Sequence, residues 1–63
     1  MTYEDVCVLL PTLDEAETVG DVIDGLREQG LENVLVVDGH STDETREIAR
    51  AHGARVVEQS GKG

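Results

Sequence analysis

The amino-acid sequence predicts an α/β fold in which three parallel strands alternate with two helices. The first observation is that short apolar runs of strand length alternate with segments whose apolar residues recur at helical spacing. Strand–helix–strand connections are right-handed, so simple winding of this chain gives the strand order 3-2-1. The second observation is that the apolar runs are continuous, which is typical of strands covered on both faces. We therefore expect three layers, with the sheet in the middle.

The first strand and the first helix are expected in the N-terminal half of the chain. Residues Asp5 to Pro11 are apolar at nearly every position, which predicts a strand with Cys7 buried in its middle. Asp14 precedes the next periodic segment and is the expected helix N-cap. That segment predicts a helix over about residues 15–29. Gly30 is expected to end the helix in the left-handed conformation.

The second half of the chain repeats this order. Asn33 to Asp38 encloses another continuous apolar run, which ends in an acid. Ser41 and Glu44 have the Ser-x-x-Glu spacing of a capping box, which predicts a second helix over about residues 42–52. Arg55 to Glu58 is then expected as a short third strand.

Polar residues follow each predicted strand. In a parallel sheet they gather outside the carboxyl ends of the strands, where ligands bind. Asp38 either serves a ligand, by accepting its hydrogen bonds or helping to hold a cation, or has a structural role as a cap of the loop or of the second helix. Its spacing does not decide between these two roles. Asp14 and Asp43 are expected to have structural roles at the helix N-termini. Glu15 directly follows the first strand end and is a candidate for ligand contact.

The composition excludes several classes of protein. The 63 residues carry 5 Lys and Arg against 14 Asp and Glu, a formal charge of −9, and a general nucleic-acid-binding protein would need clustered cations instead. Cys7 is the only cysteine, which excludes an internal disulfide framework. No apolar run approaches the roughly 20 residues of a membrane-spanning helix, and no basic signal segment begins the chain, so we expect a cytoplasmic protein. An acid-rich chain with a single lysine is also typical of halophiles.

The sequence does not match the patterns of a metal site, a phosphate-binding loop or a catalytic triad. His40 lies between Asp38 and Asp43, but this spacing matches no metal-ligand pattern, and no metal site is expected in this chain. Residues 60–63 read Ser-Gly-Lys-Gly, whereas a phosphate-binding loop needs a glycine where Val56 stands and Ser or Thr after the lysine. No Ser, His and Asp residues have the order or spacing of a catalytic triad.

Three short motifs together resemble one family. The first strand runs into Pro-Thr-Leu-Asp-Glu at residues 11–15, the second into Asp-Gly-His-Ser-Thr-Asp-Glu-Thr at residues 38–45, and Gly-Lys-Gly closes the chain at residues 61–63. In this order they resemble the inverting family 2 glycosyltransferases of the GT-A fold. The similarity is greatest to dolichyl-phosphate sugar synthases, including archaeal enzymes that begin N-glycan assembly.

The resemblance implies that residues 1–63 are the N-terminal nucleotide-binding portion of a Rossmann-like GT-A domain, whose β-α-β-α-β half they would form. The complete enzyme would move a sugar from a nucleotide-diphosphate sugar to an acceptor, such as a dolichyl or other polyprenyl phosphate at the cytoplasmic face of the membrane. The residues that the resemblance places at the nucleotide are Pro11, Leu13 and Glu15 beside the base and ribose, Asp38 and Gly39 at the base, and Lys62 nearby.

Several residues depart from the family pattern. Asp14 replaces an asparagine, Leu13 stands where an aromatic residue often stacks on the base, and Gly39 replaces the second acid of a doublet. The Asp-x-Asp metal site and the catalytic base of the family lie further along the chain than residue 63. The resemblance therefore implies Mg²⁺ or Mn²⁺ for the full-length enzyme and an inactive 63-residue portion.

Self-association is a further expectation, because the apolar edge of the first strand is unpaired in this portion. We expect a homodimer in which two such edges pair, antiparallel, into a six-stranded sheet. A non-catalytic self-associating module is one alternative to the transferase. A receiver-like signalling domain is a weaker alternative, because Asp14 and Glu15 lie beyond Pro11 at a helix start.

Overall fold

The computed structural model describes residues 6–59 of the chain. Its elements are β1 (Val8–Thr12), α1 (Val19–Glu28), β2 (Val34–Asp38), α2 (Thr45–Ala51) and β3 (Arg55–Glu58). The α/β class and the alternation of strands and helices are confirmed. None of the helices within this described part is long and apolar enough to cross a membrane.

The three strands form one parallel sheet with β2 in the centre. The order β1-β2-β3 is the predicted order 3-2-1, read from the other edge. Thr12 pairs with Asp38, and Asp38 pairs with Glu58, so the last residues of the three strands lie side by side. The loops that leave β1 and β2 therefore start from the same edge of the sheet.

Both helices cover the same face of the sheet. In β2, Val34, Val36 and Asp38 are buried, whereas the alternating Leu35 and Val37 are only partly buried. The core is one cluster of residues from both helices, β2 and the position just before β3: Val19, Ile23, Val34, Val36, Ala49 and Ala54. Residues 6–59 thus form two layers rather than the predicted three. Because the strands wind in one direction, two right-handed connections place both helices on one side.

The helices touch each other through the ring of His52. His52 follows α2 as its C-cap, and its Nδ1 lies 2.9 Å from Oδ1 of Asp24 in α1. A Cβ added to Gly20 would lie 2.7 Å from Nε2 of this ring. Glycine at position 20 therefore leaves the space that the ring occupies.

The predicted helix N-termini are wrong by three or four residues. α1 begins at Val19 rather than 15, and Asp14 is not its N-cap, since Thr18 occupies that position without a side-chain hydrogen bond. α2 begins at Thr45 rather than 42, and the predicted capping box of Ser41 and Glu44 does not form. The side chains of Asp14 and Ser41 bind the neighbouring loop instead.

The first strand also differs from its prediction. β1 begins at Val8 and continues through Pro11 to Thr12. Cys7 lies before the strand and is exposed, so the prediction that it is buried in mid-strand is wrong. Asp5, where the predicted strand began, lies outside the described residues.

The predicted glycine at the end of α1 is confirmed. Gly30 has φ +89°, and the N–H of Leu31 donates to the carbonyl of Leu26 at 3.0 Å. α2 ends in the same way at Gly53, with φ +99°. Both ends have the hydrogen bonds of a Schellman motif, in which a left-handed residue reverses the chain.

We predict that a change from glycine to alanine has opposite effects on stability at Gly25, inside α1, and at Gly30, just after α1. Gly25→Ala should raise the free energy of unfolding by about 0.5–1 kcal/mol, since alanine is the better helix former and an added Cβ meets nothing within 4 Å. Gly30→Ala should lower it by about 1–2 kcal/mol, because alanine is strained in the left-handed region. Chemical denaturation of both variants measures the two effects, and a change of the same sign in both would contradict the prediction.

Candidate functional site

The sheet brings two loops to one edge. We call residues 13–18 the first loop and residues 39–44 the second loop. They follow β1 and β2, whose last residues are paired in the sheet. The site residues predicted from sequence lie at this edge, namely Pro11, Leu13, Glu15, Asp38 and Gly39, except for Lys62, which lies outside the described residues. The expectation that Glu15 and Asp38 share one edge is confirmed.

A buried carboxylate, that of Asp38, lies at the centre of this edge. The side chain has no exposed surface. Its Oδ1 accepts hydrogen bonds from the hydroxyls of Thr12, at 2.8 Å, and Ser41, at 2.6 Å. Its Oδ2 accepts the backbone N–H of Ser41 at 2.7 Å and lies 3.9 Å from Nε of Arg46. The carboxylate thus connects β1, β2 and the second loop.

These contacts keep Asp38 ionised. Burial alone would raise the pKa of the Asp38 carboxyl, but the hydrogen bonds from Ser41 and Thr12, together with the charge of Arg46, outweigh it. The pKa therefore lies below its ordinary value. A carboxylate that accepts several hydrogen bonds is stabilised in its charged form, which is the physical cause of this shift.

The backbone of Asp38 is also engaged. Its carbonyl accepts the N–H of Gln59 at 2.7 Å, and the next N–H, of Gly39, donates to the carbonyl of Thr12 at 2.8 Å. Of the two roles that the sequence left open, this geometry favours the one in which Asp38 holds the loop. Direct contact between its carboxylate and a nucleotide base stays a prediction.

The surface open to a ligand is formed by other residues. Leu13 is 58% exposed, and Glu15 is exposed. Among residues 6–59, the carboxylate of Glu15 accepts only the nearby N–H of Leu13, at 3.3 Å. A Cβ on Gly39 would lie 3.8 Å from Cδ1 of Leu13 and 3.7 Å from Oε1 of Gln59. Leu13 and Gln59 therefore flank the space above Gly39. Gln59 was not among the predicted site residues, although its place directly after β3 puts it with the polar residues expected at this edge.

The two loops are joined by hydrogen bonds in both directions. The N–H groups of three successive residues in the first loop donate to side chains in or just after the second: Asp14 to Ser41 Oγ at 2.8 Å, Glu15 to Thr45 Oγ1 at 2.7 Å and Ala16 to Asp43 Oδ2 at 3.2 Å. In return, the carboxylate of Asp14 accepts the backbone N–H of Thr42 at 2.6 Å. Thr42 and Thr45 were not among the site residues predicted from the sequence, although both belong to the motif at residues 38–45.

Asp14 has a backbone conformation that suits its residue type. Its φ is +51°, in the left-handed region, which aspartate and asparagine tolerate better than most residues. Asp14 therefore places the first loop rather than capping a helix.

Asp43 has the structural role that the sequence predicted, through different contacts. Its Oδ1 accepts the backbone N–H of Thr45 at 2.9 Å and the hydroxyl of the same residue. The pKa of Asp43 is lowered, chiefly by the hydroxyl of Thr45 and further by the N–H groups of Thr45 and Ala16, against a smaller opposing effect of burial.

Two further side chains at this edge, those of Arg46 and His40, lie close to Glu58. Arg46 pairs with Glu58 and donates from Nη2 to the carbonyl of Ser41 at 3.2 Å. His40 is exposed, and its Nδ1 lies 3.8 Å from Oε1 of Glu58. Among residues 6–59, no three His, Cys, Asp or Glu side chains converge on a point where a metal ion could bind.

We predict that Asp38→Asn lowers the free energy of unfolding at pH 7 by about 2 kcal/mol or more, because an amide cannot accept all three hydrogen bonds. The exposed Glu17→Gln is the matched control and should change it by less than about 0.5 kcal/mol. Chemical denaturation of the three proteins provides the comparison. Equal stability of the two variants at pH 7 would contradict the prediction.

The difference in stability between wild type and Asp38→Asn should depend on pH, with a sign that follows from the pKa of Asp38. The folded pKa of Asp38 is lowered, so its stabilisation is present above the unfolded pKa, about 4, and is lost as the pH falls through the folded pKa. The difference between wild type and Asp38→Asn should therefore shrink below about pH 4. A difference that stays constant down to pH 2 would contradict this cause.

Comparison with known proteins identifies related sequences and structures. The glycosyltransferase AglJ of Haloferax volcanii is 58% identical over 98% of this chain, which spans 20% of that protein. A dolichyl-phosphate hexose transferase of the same organism is 41% identical over 98% of this chain, which spans 28% of it. Glucosyl-3-phosphoglycerate synthase of Mycobacterium tuberculosis, solved with Mn²⁺, UDP-glucose and phosphoglyceric acid, is 40% identical with a TM-score of 0.74, over 82% of this chain and 20% of that one.

The fold is therefore GT-A-like, as the resemblance in the sequence implied. The chain spans well under half the length of the relatives that it matches. The family model described as Glycosyl transferase family 2 matches residues 7–63. This chain belongs to glycosyl transferase family 2.

Proposed function

We propose that this chain is the nucleotide-sugar-binding portion of an inverting glycosyltransferase. One observation carries the proposal: the exposed Leu13 and Glu15 lie at the carboxyl edge of a parallel sheet, with Leu13 beside Gly39, on a loop that is held by the loop after β2. Ligands of open α/β sheets bind at this edge. In the reaction, an acceptor oxygen would attack the anomeric carbon, and the bond from that carbon to the diphosphate would break.

Each exposed residue has a proposed role in binding the donor. Pro11 and Leu13 supply apolar surface for the base, and Gly39 leaves room for it. The carboxylate of Glu15 can accept hydrogen bonds from ribose hydroxyls, since its only hydrogen bond within the described residues is a long one. Asp38 acts by holding Thr12 and Ser41 in place. Lys62, outside the described residues, would bring positive charge near the diphosphate.

For the acceptor, we propose a dolichyl or other polyprenyl phosphate. Support comes from the similarity to a transferase named for dolichyl phosphate. An enzyme of this kind would act at the cytoplasmic face of a membrane in N-glycan assembly, and the formal charge of −9 suits the salt-rich cytoplasm of a halophile. Phosphoglycerate is the second candidate, supported by the similarity to glucosyl-3-phosphoglycerate synthase.

The proposed enzyme would use Mg²⁺ or Mn²⁺, in keeping with the Mn²⁺ in the related synthase structure. A divalent ion would offset the charge of the leaving diphosphate. The described residues do not fit such an ion, because no three candidate ligands converge among them. We therefore propose that its ligands lie outside residues 6–59, and that these 63 residues are inactive alone.

Transfer and donor binding test this proposal in the whole protein that carries this sequence. With Mn²⁺ present, it should transfer labelled sugar from a nucleotide-diphosphate hexose to dolichyl phosphate, and calorimetry should show saturable binding of the matching nucleoside diphosphate. Transfer to 3-phosphoglycerate instead would replace the lipid acceptor. Absence of both transfer and nucleotide binding, across uridine and guanosine donors, would contradict the function.

Variants at Leu13 locate the base in the same assay. Leu13→Tyr should tighten nucleotide binding by about 2- to 10-fold, because an aromatic ring stacks on the base. Leu13→Asp should weaken it, since it adds a charge to an apolar surface near a diphosphate. The exposed Val22→Asp on α1 is the control and should leave binding unchanged.

We also propose that two copies associate through the edge of β1. Within the described residues β1 pairs only with β2, and Leu9 is 64% exposed. The N–H of Val8 donates to the carbonyl of Asn33, just before β2. Backbone groups of successive residues in a strand point to opposite sides, so those of Leu9 and Pro11 point to the free edge of β1. Because Pro11 has no N–H, an antiparallel pairing would centre on Leu9.

Sedimentation of this 63-residue chain tests the association. The sedimentation coefficient should rise with concentration to that of a dimer, and Leu9→Lys should abolish the rise, because lysine opposes edge pairing. The control Val22→Lys, at an exposed position of α1, should leave the sedimentation behaviour unchanged. A folded wild-type monomer at every concentration would contradict the dimer.

A further inference from the structure

We propose that Thr45 is a positioning residue for nucleotide-sugar binding. Its hydroxyl links the carboxylate of Asp43 to the backbone N–H of Glu15 and so fixes the place from which the Glu15 side chain reaches the ligand. This inference rests on the proposed function. It assigns a role in binding to a side chain that no ligand would touch, because Thr45 is fully buried.

The chemistry of the three groups fixes the direction of the chain of hydrogen bonds. The N–H of Glu15 can only donate, and it lies 2.7 Å from Oγ1 of Thr45. The ionised carboxylate of Asp43 can only accept, and it is bonded to the same hydroxyl. The single hydroxyl proton of Thr45 must therefore point to Asp43, which leaves a lone pair for Glu15. A charged acceptor at the end of the chain strengthens both bonds.

The same carboxylate fixes the loop on the other side of Glu15. The second oxygen of Asp43 accepts the N–H of Ala16 at 3.2 Å. The two peptide groups that flank the Cα of Glu15 are thus both held from α2 and the loop before it. The Glu15 side chain itself remains exposed at the edge of the sheet. A ligand that met an already ordered loop would not have to bear the entropy cost of ordering it.

The bonds of the Thr45 hydroxyl do not cap α2, whereas the backbone N–H of Thr45 is bonded separately to Asp43. Thr45 is the first residue of that helix, and its hydroxyl bonds are to Asp43 and to Glu15, 30 residues away in sequence. The N-cap position, Glu44, makes no side-chain hydrogen bond. The hydroxyl therefore connects Asp43 of the second loop to Glu15 of the first loop. Its loss should change how the first loop is held.

The test uses calorimetric titration of the whole protein with the nucleoside diphosphate of its donor. Thr45→Val keeps the shape and removes the hydroxyl, and we expect it to weaken binding about tenfold, which corresponds to about 1.4 kcal/mol. Thr45→Ser keeps the hydroxyl and should bind within about twofold of wild type. Thr18→Val is the matched control at an exposed threonine without a side-chain cap bond, and it should also bind within about twofold.

A double-mutant cycle distinguishes positioning from general destabilisation. In a Glu15→Ala background, Thr45→Val should weaken binding by less than about twofold, because its effect runs through Glu15. An undiminished tenfold loss in that background would overturn the proposal. So would equal affinities of Thr45→Val and Thr45→Ser. If Thr45→Val does not fold, Asp43→Asn takes its place in the same cycle. It replaces the oxygen that accepts the N–H of Ala16, and Asp43 is only partly buried.

Failure of the proposed function gives a different result. A wild-type protein that binds no nucleoside diphosphate overturns both the function and the role of Thr45. A wild-type protein that binds normally, with no coupling between positions 45 and 15, overturns only the role of Thr45.

Discussion

The buried carboxylate of Asp38 is the constraint on which the rest of this edge depends. It accepts hydrogen bonds from the hydroxyl of Thr12 in β1 and from both the hydroxyl and the N–H of Ser41 in the second loop. Ser41 then accepts the N–H of Asp14 in the first loop. One ionised group thus joins two strands and two loops. A buried charge is costly unless it is fully hydrogen-bonded, and here the three donors and the nearby Arg46 provide that compensation.

The residues at this edge form two groups: buried residues that hold the loops in place, and exposed residues whose side chains are accessible. Asp38, Ser41 and Thr45 are buried and bonded to other parts of the protein. Leu13 and Glu15 are exposed on the loop that these residues hold. This division accounts for a polar cluster inside a chain of only 63 residues. The carboxylates and hydroxyls hold this loop through contacts within the protein, which under the proposed function would reduce the cost of binding.

Much of the fold could be predicted from the sequence because it depends on local patterns. The continuous apolar run before Asp38 and the glycine at position 30 each indicate their structure through near neighbours, and both predictions are confirmed. The helix N-termini were wrong because two residues of the types that cap helices bind distant partners. The carboxylate of Asp14 binds Thr42, 28 residues away, and the hydroxyl of Ser41 binds the N–H of Asp14, 27 residues away. A local pattern contains no information about such partners. The prediction of three layers was wrong for a different reason. It was drawn from the continuous apolar runs, whereas the predicted strand order with right-handed connections already places both helices on one face.

Amide hydrogen exchange at Ser41 tests the central claim most directly. Ser41 lies in a loop outside any helix or strand, where an unprotected N–H exchanges with solvent at the rate of an unfolded peptide. If the Asp38 carboxylate holds the edge together, the Ser41 N–H should exchange as slowly as the N–H groups of the central strand, and the N–H of Asp14 should be protected with it. Exchange of the Ser41 N–H at the unfolded rate, while the central strand remains protected, would contradict this account.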